Sequence, residues 1–222
     1  ASRGIKMLVV ACNTASALAL PAIREAVGLD VVGVIGPGGR KAVALTRNKE
    51  KARIGVIATE ATVASNAYVD AIRRASSSAE VMQAGCPLFV PLAEENWTEE
   101  PETRSIAARY LSEMNEFHPD VLVLGCTHYP ILRDVIADTV GPDVKLVDSG
   151  EATADEVAAL LEAKGLASAV AMDGERRLCD DLDHFYVTDA ADRFARVAER
   201  FLGVQPSVLE AVEVYGVDVL TT

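Results

Sequence analysis

The chain has 222 residues, half of them apolar, with 15 glycines, 9 prolines and a net charge of −12. That length and composition can bury a core and exclude a disordered or fibrous chain. The negative charge argues against a nucleic-acid or anionic-membrane surface, and the sequence shows neither an apolar run of bilayer length nor an opening signal-peptide pattern.

Lys6 to Ala17, KMLVVACNTASA, runs through branched apolar residues into Cys12 and then small hydroxyl and amide residues. It predicts a strand buried on both faces of a parallel sheet. Ser16 to Gly28 predicts a helix with Ile23, Ala26 and Val27 inward and a kink or restart at Pro21. A second strand follows at Val31 to Ile35. The cluster Gly36-Pro37-Gly38-Gly39-Arg40 fits neither GxGxxG nor the P-loop and reads as a turn or hinge before a helix from Lys41 to Thr46. Arg53 to Ala58 predicts a third strand, followed by Thr59, Thr62 and a helix from Ser65 to Ala75. A short strand at Val81 to Gly85 leads into Cys86 to Leu92, where two prolines predict an irregular or edge segment, with Glu94 and Glu95 directly after it. Thr98 to Phe117 has helical spacing.

Val121 to Pro130, VLVLGCTHYP, echoes the first motif: an apolar strand ending in Cys126, Thr127 and His128. Pro130 to Val140 predicts a helix, Lys145 to Val147 a strand and Thr153 to Lys164 another helix. Ala167 to Val187 reads as irregular, Asp189 to Leu202 as an amphipathic helix packing Phe194, Val197, Ala198, Phe201 and Leu202 into a core, and Val208 to Leu220 as an added strand or docked tail. Alternating strands and helices predict an α/β protein with two doubly wound parallel-sheet lobes related by pseudo-symmetry and a cleft between them. Residues 1–35 with 149–222 would form one lobe, and 36–148 the other.

Polar residues just past strand ends fall where open α/β sheets hold ligands. A cysteine there, ahead of a helix, meets backbone N–H groups that favour thiolate. Asn13, Thr14 and Thr127 add neutral donors for a carboxylate or oxyanion. His128 is spaced to share a face with Cys126 and exchange its proton, and Glu94 is the carboxylate to orient that imidazole. Two thiols on opposite walls suggest removal of a proton from one face of a carbon and its return from the other, with coupled titrations. The plainer alternative, buried cysteines acting as small hydrophobes, stands for Cys86 between Gly85 and Pro87. Cys179 sits among acidic residues that would raise its pKa. His118 reads as a solvated helix cap, and His184 has no evident partner. The three histidines show no ligand spacing and predict no metal site. Four cysteines without a CxxC pair predict free thiols in a reducing, cytoplasmic setting.

Ala11-Cys12-Asn13-Thr14-Ala15 and Gly125-Cys126-Thr127-His128-Tyr129-Pro130 resemble the paired signatures of bacterial glutamate racemases, in the aspartate/glutamate racemase family. Val32 to Ile35, Gly55 to Thr59, Ser65 to Tyr68 and Cys86 to Leu88 resemble it too, in order and spacing. The resemblance implies cofactor-independent interconversion of L- and D-glutamate for peptidoglycan synthesis, with Cys12 and Cys126 as acid/bases. It further implies that Asn13, Thr14, Thr59, Thr62, Thr127 and His128 hold substrate, and that His128 and Glu94 assist Cys126. Glutamate would be the partner, with no membrane or nucleic acid and a homodimer left open. Rival readings are a racemase or decarboxylase for aspartate or another acidic substrate, or an inactive binding protein. The family also has an Asp-Ser-Gly strand end and a Pro-Tyr-Gly loop before the first cysteine. Neither stands here, and Asp148 to Gly150 lies at the wrong end of the chain. The resemblance therefore implies an absent N-terminal segment, and the 222 residues alone are expected to be unstable or inactive.

Overall fold

The computed structural model of the chain describes residues 4–167, 184–206 and 208–213. The chain forms two compact units, Ala1–Ala167 and Ser168–Thr222.

In the first unit, β1 (Met7–Val10) pairs in parallel with β2 (Asp30–Gly33), Met7 opposite Asp30 and Val10 opposite Gly33. A separate parallel sheet has the order β4-β3-β5-β6, from β3 (Arg53–Ala58), β4 (Glu80–Gly85), β5 (Val121–Gly125) and β6 (Lys145–Asp148). All its neighbours run parallel, with Ile54 opposite Val121 and Ala58 opposite Gly125. The chain therefore reverses its winding direction between β3 and β5, and an open parallel sheet opens a crevice beyond the strand ends at that point.

Strand β5 is buried on both faces, and its two-residue period divides the core. Leu122 and Leu124 join Ile57, Phe89, Leu111, Met114, Leu132 and Ile136 on one side, while Val121 and Val123 join Ile54, Val56, Tyr68 and Ile72 on the other. Each such aliphatic side chain contributes about 1.5–3 kcal/mol by leaving water. Strand β1 differs: it was expected to be buried on both faces, yet none of its four residues is buried and Val9 is 38% exposed. Among the described residues β1 has one strand partner.

Pro21 breaks its helix as expected, giving α1 (Asn13–Leu18) and α2 (Leu20–Ala26), with Pro21 in the first turn of α2 and Ala26 exposed rather than inward. The glycine cluster is not a turn. Gly36 to Arg40 forms the start of α3 (Ile35–Leu45), where Pro37 lies in a first turn that needs no N–H. Its glycines admit close neighbours: a Cβ at Gly38 would stand 3.3 Å from the Tyr68 hydroxyl, and one at Gly39 3.2 Å from Ala71. The helix expected from Ser65 to Ala75 is α5 (Ala67–Ala75); a further helix, α4 (Glu60–Ala64), precedes it, and Asn66 lies between them in a left-handed conformation. Nor is the proline-bearing segment irregular throughout. Phe89 to Glu95 is α6, again with Pro91 in the first turn, so Glu94 is a helical residue. Beyond it come α7 (Pro101–Tyr110), α8 (Ser112–Phe117), a 3₁₀ turn at Tyr129–Leu132 and α9 (Arg133–Val140). Asp148 caps α10 (Ser149–Ala163) by accepting from the Gly150 N–H at 2.7 Å.

In the second unit, β7 (Phe185–Val187) pairs in parallel with β8 (Leu209–Ala211), joined through α11 (Ala191–Leu202). The apolar stripe of α11 is not buried core: Phe194 and Phe201 are 37% and 43% exposed, and Phe194 meets Phe185 at 6.4 Å between ring centroids. His184 stacks on Tyr186, and in the first unit His118 ends α8 in a left-handed conformation. Cys179 lies outside the described residues, as do most of the segment from Ala167 to Val187 and the end of the tail. Among the described residues, no helix is long and apolar enough to cross a membrane.

Candidate active site at the strand ends

Three strand ends bring the site together. After β1, Cys12 caps α1, its Sγ accepting the Ala15 N–H at 3.4 Å, and its side chain is exposed. After β3, Thr59 caps α4 by accepting from the Thr62 N–H at 3.3 Å. After β5, Cys126 is 6% exposed, and Thr127 and His128 are half-buried. Gly125 admits this crowding, since a Cβ there would stand 2.8 Å from the Ile57 carbonyl oxygen and 3.0 Å from the Tyr68 ring.

The two thiols lie close enough that charge on Cys12 raises the pKa of Cys126. Burial is the larger cause. It pushes the Cys126 thiol up to about 11, against the backbone N–H groups of His128 and Tyr129, which pull it down. The expected lowering by backbone donors thus has the right sign and is outweighed by desolvation. Cys86 is fully buried, pushed up to about 12 by desolvation. It belongs to a packed cluster in which Tyr129 donates to the Cys86 carbonyl at 2.9 Å and Phe89 meets Tyr129 edge-on.

Beside Cys126, the His128 Nδ1 lies 3.8 Å from Sγ and its Nε2 lies 3.4 Å from the Glu94 Oε1. A carboxylate at Nε2 holds the proton there and leaves Nδ1 as the acceptor facing sulfur. Cys126, His128 and Glu94 thus form a line along which a thiol proton can be drawn.

Opposite, Thr14, Thr59 and Thr62 place three hydroxyl oxygens within 2.9, 3.0 and 3.1 Å of one another. Asn13 is only 2% exposed. Its Oδ1 accepts the Tyr68 hydroxyl at 2.6 Å, and its Nδ2 donates to the Ser149 Oγ at 3.3 Å. Sequence reasoning did not single out Tyr68 or Ser149. Ser149 could have been found as the first residue after a strand end, the position that flagged the cysteines. A tyrosine at helical spacing reads as core and gave no such signal.

The model of the family described as "Asp/Glu/Hydantoin racemase" matches residues 1–157. The chain is 49% identical over 201 residues to a glutamate racemase of Geobacter metallireducens, covering 90% of this chain and 71% of that protein. It is 44% identical over 202 residues to a glutamate racemase of Lactiplantibacillus plantarum, covering 91% and 71%. The fold is similar to the crystal structure of glutamate racemase from Francisella tularensis in complex with D-glutamate, with a TM-score of 0.81 and 34% identity, covering 96% of this chain and 75% of that one.

Proposed function

The chain belongs to the Asp/Glu/Hydantoin racemase family, and we propose that it interconverts L- and D-glutamate without a cofactor, supplying D-glutamate for peptidoglycan synthesis. The observation that carries this reading is the approach of Cys12 and Cys126, two free thiols just past strand ends and close enough that charge on Cys12 raises the pKa of Cys126. In the reading, one thiolate removes the α-proton of glutamate, leaving a carbanion, and the opposite thiol returns a proton to the other face. One S–H becomes thiolate as the other thiolate becomes S–H, so protons balance and the thiols exchange roles at each turnover.

Cys126, whose pKa burial raises, rests as the proton-bearing thiol. His128, oriented by Glu94, takes that proton when Cys126 must act as base. Thr14, Thr59, Thr62 and Thr127 donate to the substrate carboxylates, and Asn13 has a second amide hydrogen to give. The change of sheet between Gly33 and Arg53 supports a lobe boundary near residue 36, with residues 36–148 carrying Cys126. The free thiols Cys12, Cys86 and Cys126 support a reducing compartment such as the cytoplasm.

The test is deuterium wash-in at the α-carbon in D₂O, with glutamate and aspartate compared. Exchange into both glutamate enantiomers, lost on Cys12→Ser or Cys126→Ser, is the expected result. Exchange confined to aspartate, or wild-type exchange in either serine variant, overturns the reading.

A further inference from the structure

Asn13, Tyr68 and Ser149 are polar, fully or nearly fully buried, and come from three different helices. Buried polar groups are retained when their bonds are satisfied, and here the bonds run in one direction. The Tyr68 hydroxyl donates to Asn13 Oδ1 at 2.6 Å, Asn13 Nδ2 donates to Ser149 Oγ at 3.3 Å, and the Ser149 hydroxyl donates to the Leu124 carbonyl at 3.1 Å. Asn13, in the middle of this run, is the residue after Cys12, and Leu124, its final acceptor, is two residues before Cys126. Small residues make room for it: a Cβ at Gly38 would meet both the Tyr68 hydroxyl and the Ser149 Cβ, at 3.3 and 3.4 Å. The sheets that carry the two thiols share no strand pairing among the described residues, so side chains must span the gap.

We propose that Tyr68 and Ser149 are positioning residues: they hold the Asn13 amide in one orientation and through it fix the separation of Cys12 from Cys126. The Ser149 hydrogen, given to the Leu124 carbonyl, settles which amide atom is which: Ser149 Oγ can then only accept, so Nδ2 faces it and Oδ1 faces the Tyr68 hydroxyl. Burial raises the Tyr68 pKa well beyond the usual tyrosine range, and nearby charge at Cys126 and Asp148 adds to it, so the donated hydrogen stays in place while the thiols exchange protons. The catalytic consequence rests on the racemase reading, whereas the geometric one does not.

Two readouts separate them. Tyr68→Phe keeps the buried ring and removes the hydrogen, and Ser149→Ala cuts the chain from its other end. Each is expected to lower kcat in both directions by about 10–100-fold with KM little changed, as misplacement of reacting groups does. Independently of activity, each is expected to slow bridging of Cys12 to Cys126 by dibromobimane, with Cys12→Ser as the background and Ser149→Thr recovering the rate lost in Ser149→Ala. Lower thermal stability with unchanged kcat and unchanged bridging overturns the proposal, as does a rise in KM alone. Slowed bridging in the variants, with a wild-type protein that exchanges no glutamate α-proton, leaves the positioning role of Tyr68 and Ser149 standing and removes the racemase reading. If Tyr68→Phe does not fold, Ser149→Ala against Ser149→Thr decides the question.

Discussion

Cys12 leaves a strand with one neighbour and stands open to solvent, whereas Cys126 leaves a central strand with a neighbour on each side and is 6% exposed. The two motifs read alike: an apolar run, a cysteine, small polar residues, then a helical turn. The number of neighbours makes the thiols unlike. Strand pairing decides how much protein covers each sulfur, and coverage decides how tightly Cys126 keeps its proton. In the proposed reaction, a pair that holds one proton between them gains from such inequality.

The comparison breaks most sharply at the thiols themselves. Cys12→Ser and Cys126→Ser are each expected to reduce racemisation by about 10²–10⁴-fold, the usual worth of a positioned acid/base. Loss of racemisation in both variants supports a two-base reaction; a variant that keeps its rate marks its thiol as a bystander. In stability, Leu122→Ala in the four-stranded sheet is expected to cost about 2–5 kcal/mol in denaturant titration. Val9→Ala in the two-stranded one should change stability by about 0.5 kcal/mol or less. Equal costs would erase the difference between the sheets.

Glu94→Gln addresses only the Cys126 side and is expected to lower turnover by about 10-fold, toward the small end for acid/base assistance. Mirror-image substrates have equal free energies, so kcat/KM must fall equally in both directions. The asymmetry should appear instead in the α-deuterium isotope effect, enlarged in the direction where Cys126 removes the proton. An isotope effect changed equally in both directions would remove Glu94 from that half of the site.

The smallest effect is on stability at high pH. The folded Cys126 keeps its proton to about 11, above its ordinary 9.0, so between those pH values unfolding releases a proton. Stability from this thiol is therefore full below pH 9 and is lost as pH rises toward 11. Urea midpoints across that interval should fall less steeply in Cys126→Ser than in the wild type. Cys86, raised in the same direction, contributes equally to both and cancels.

Strand positions and parallel order were legible because β3 and β5 lie in continuous apolar runs with polar residues at their ends. Helix starts were less so: Pro37 and Pro91 were read as breakers, although a first turn has no use for the hydrogen that proline lacks. Residues gathered from neighbouring positions in the chain, such as Cys126 and His128, could be paired from spacing. The contact of Asn13 with Tyr68 and Ser149 spans three helices, and no local pattern encodes it.

The triangle of Thr14, Thr59 and Thr62 has a consequence of its own. Each hydroxyl has one hydrogen and two lone pairs, so three hydrogens can circulate around three sides and leave every oxygen satisfied. Rotation about three C–O bonds, with no heavy atom moving, turns that closed ring into three outward donors. If the proposed substrate binds there, a chain of net charge −12 would in this way offer an anion three donors without a cation.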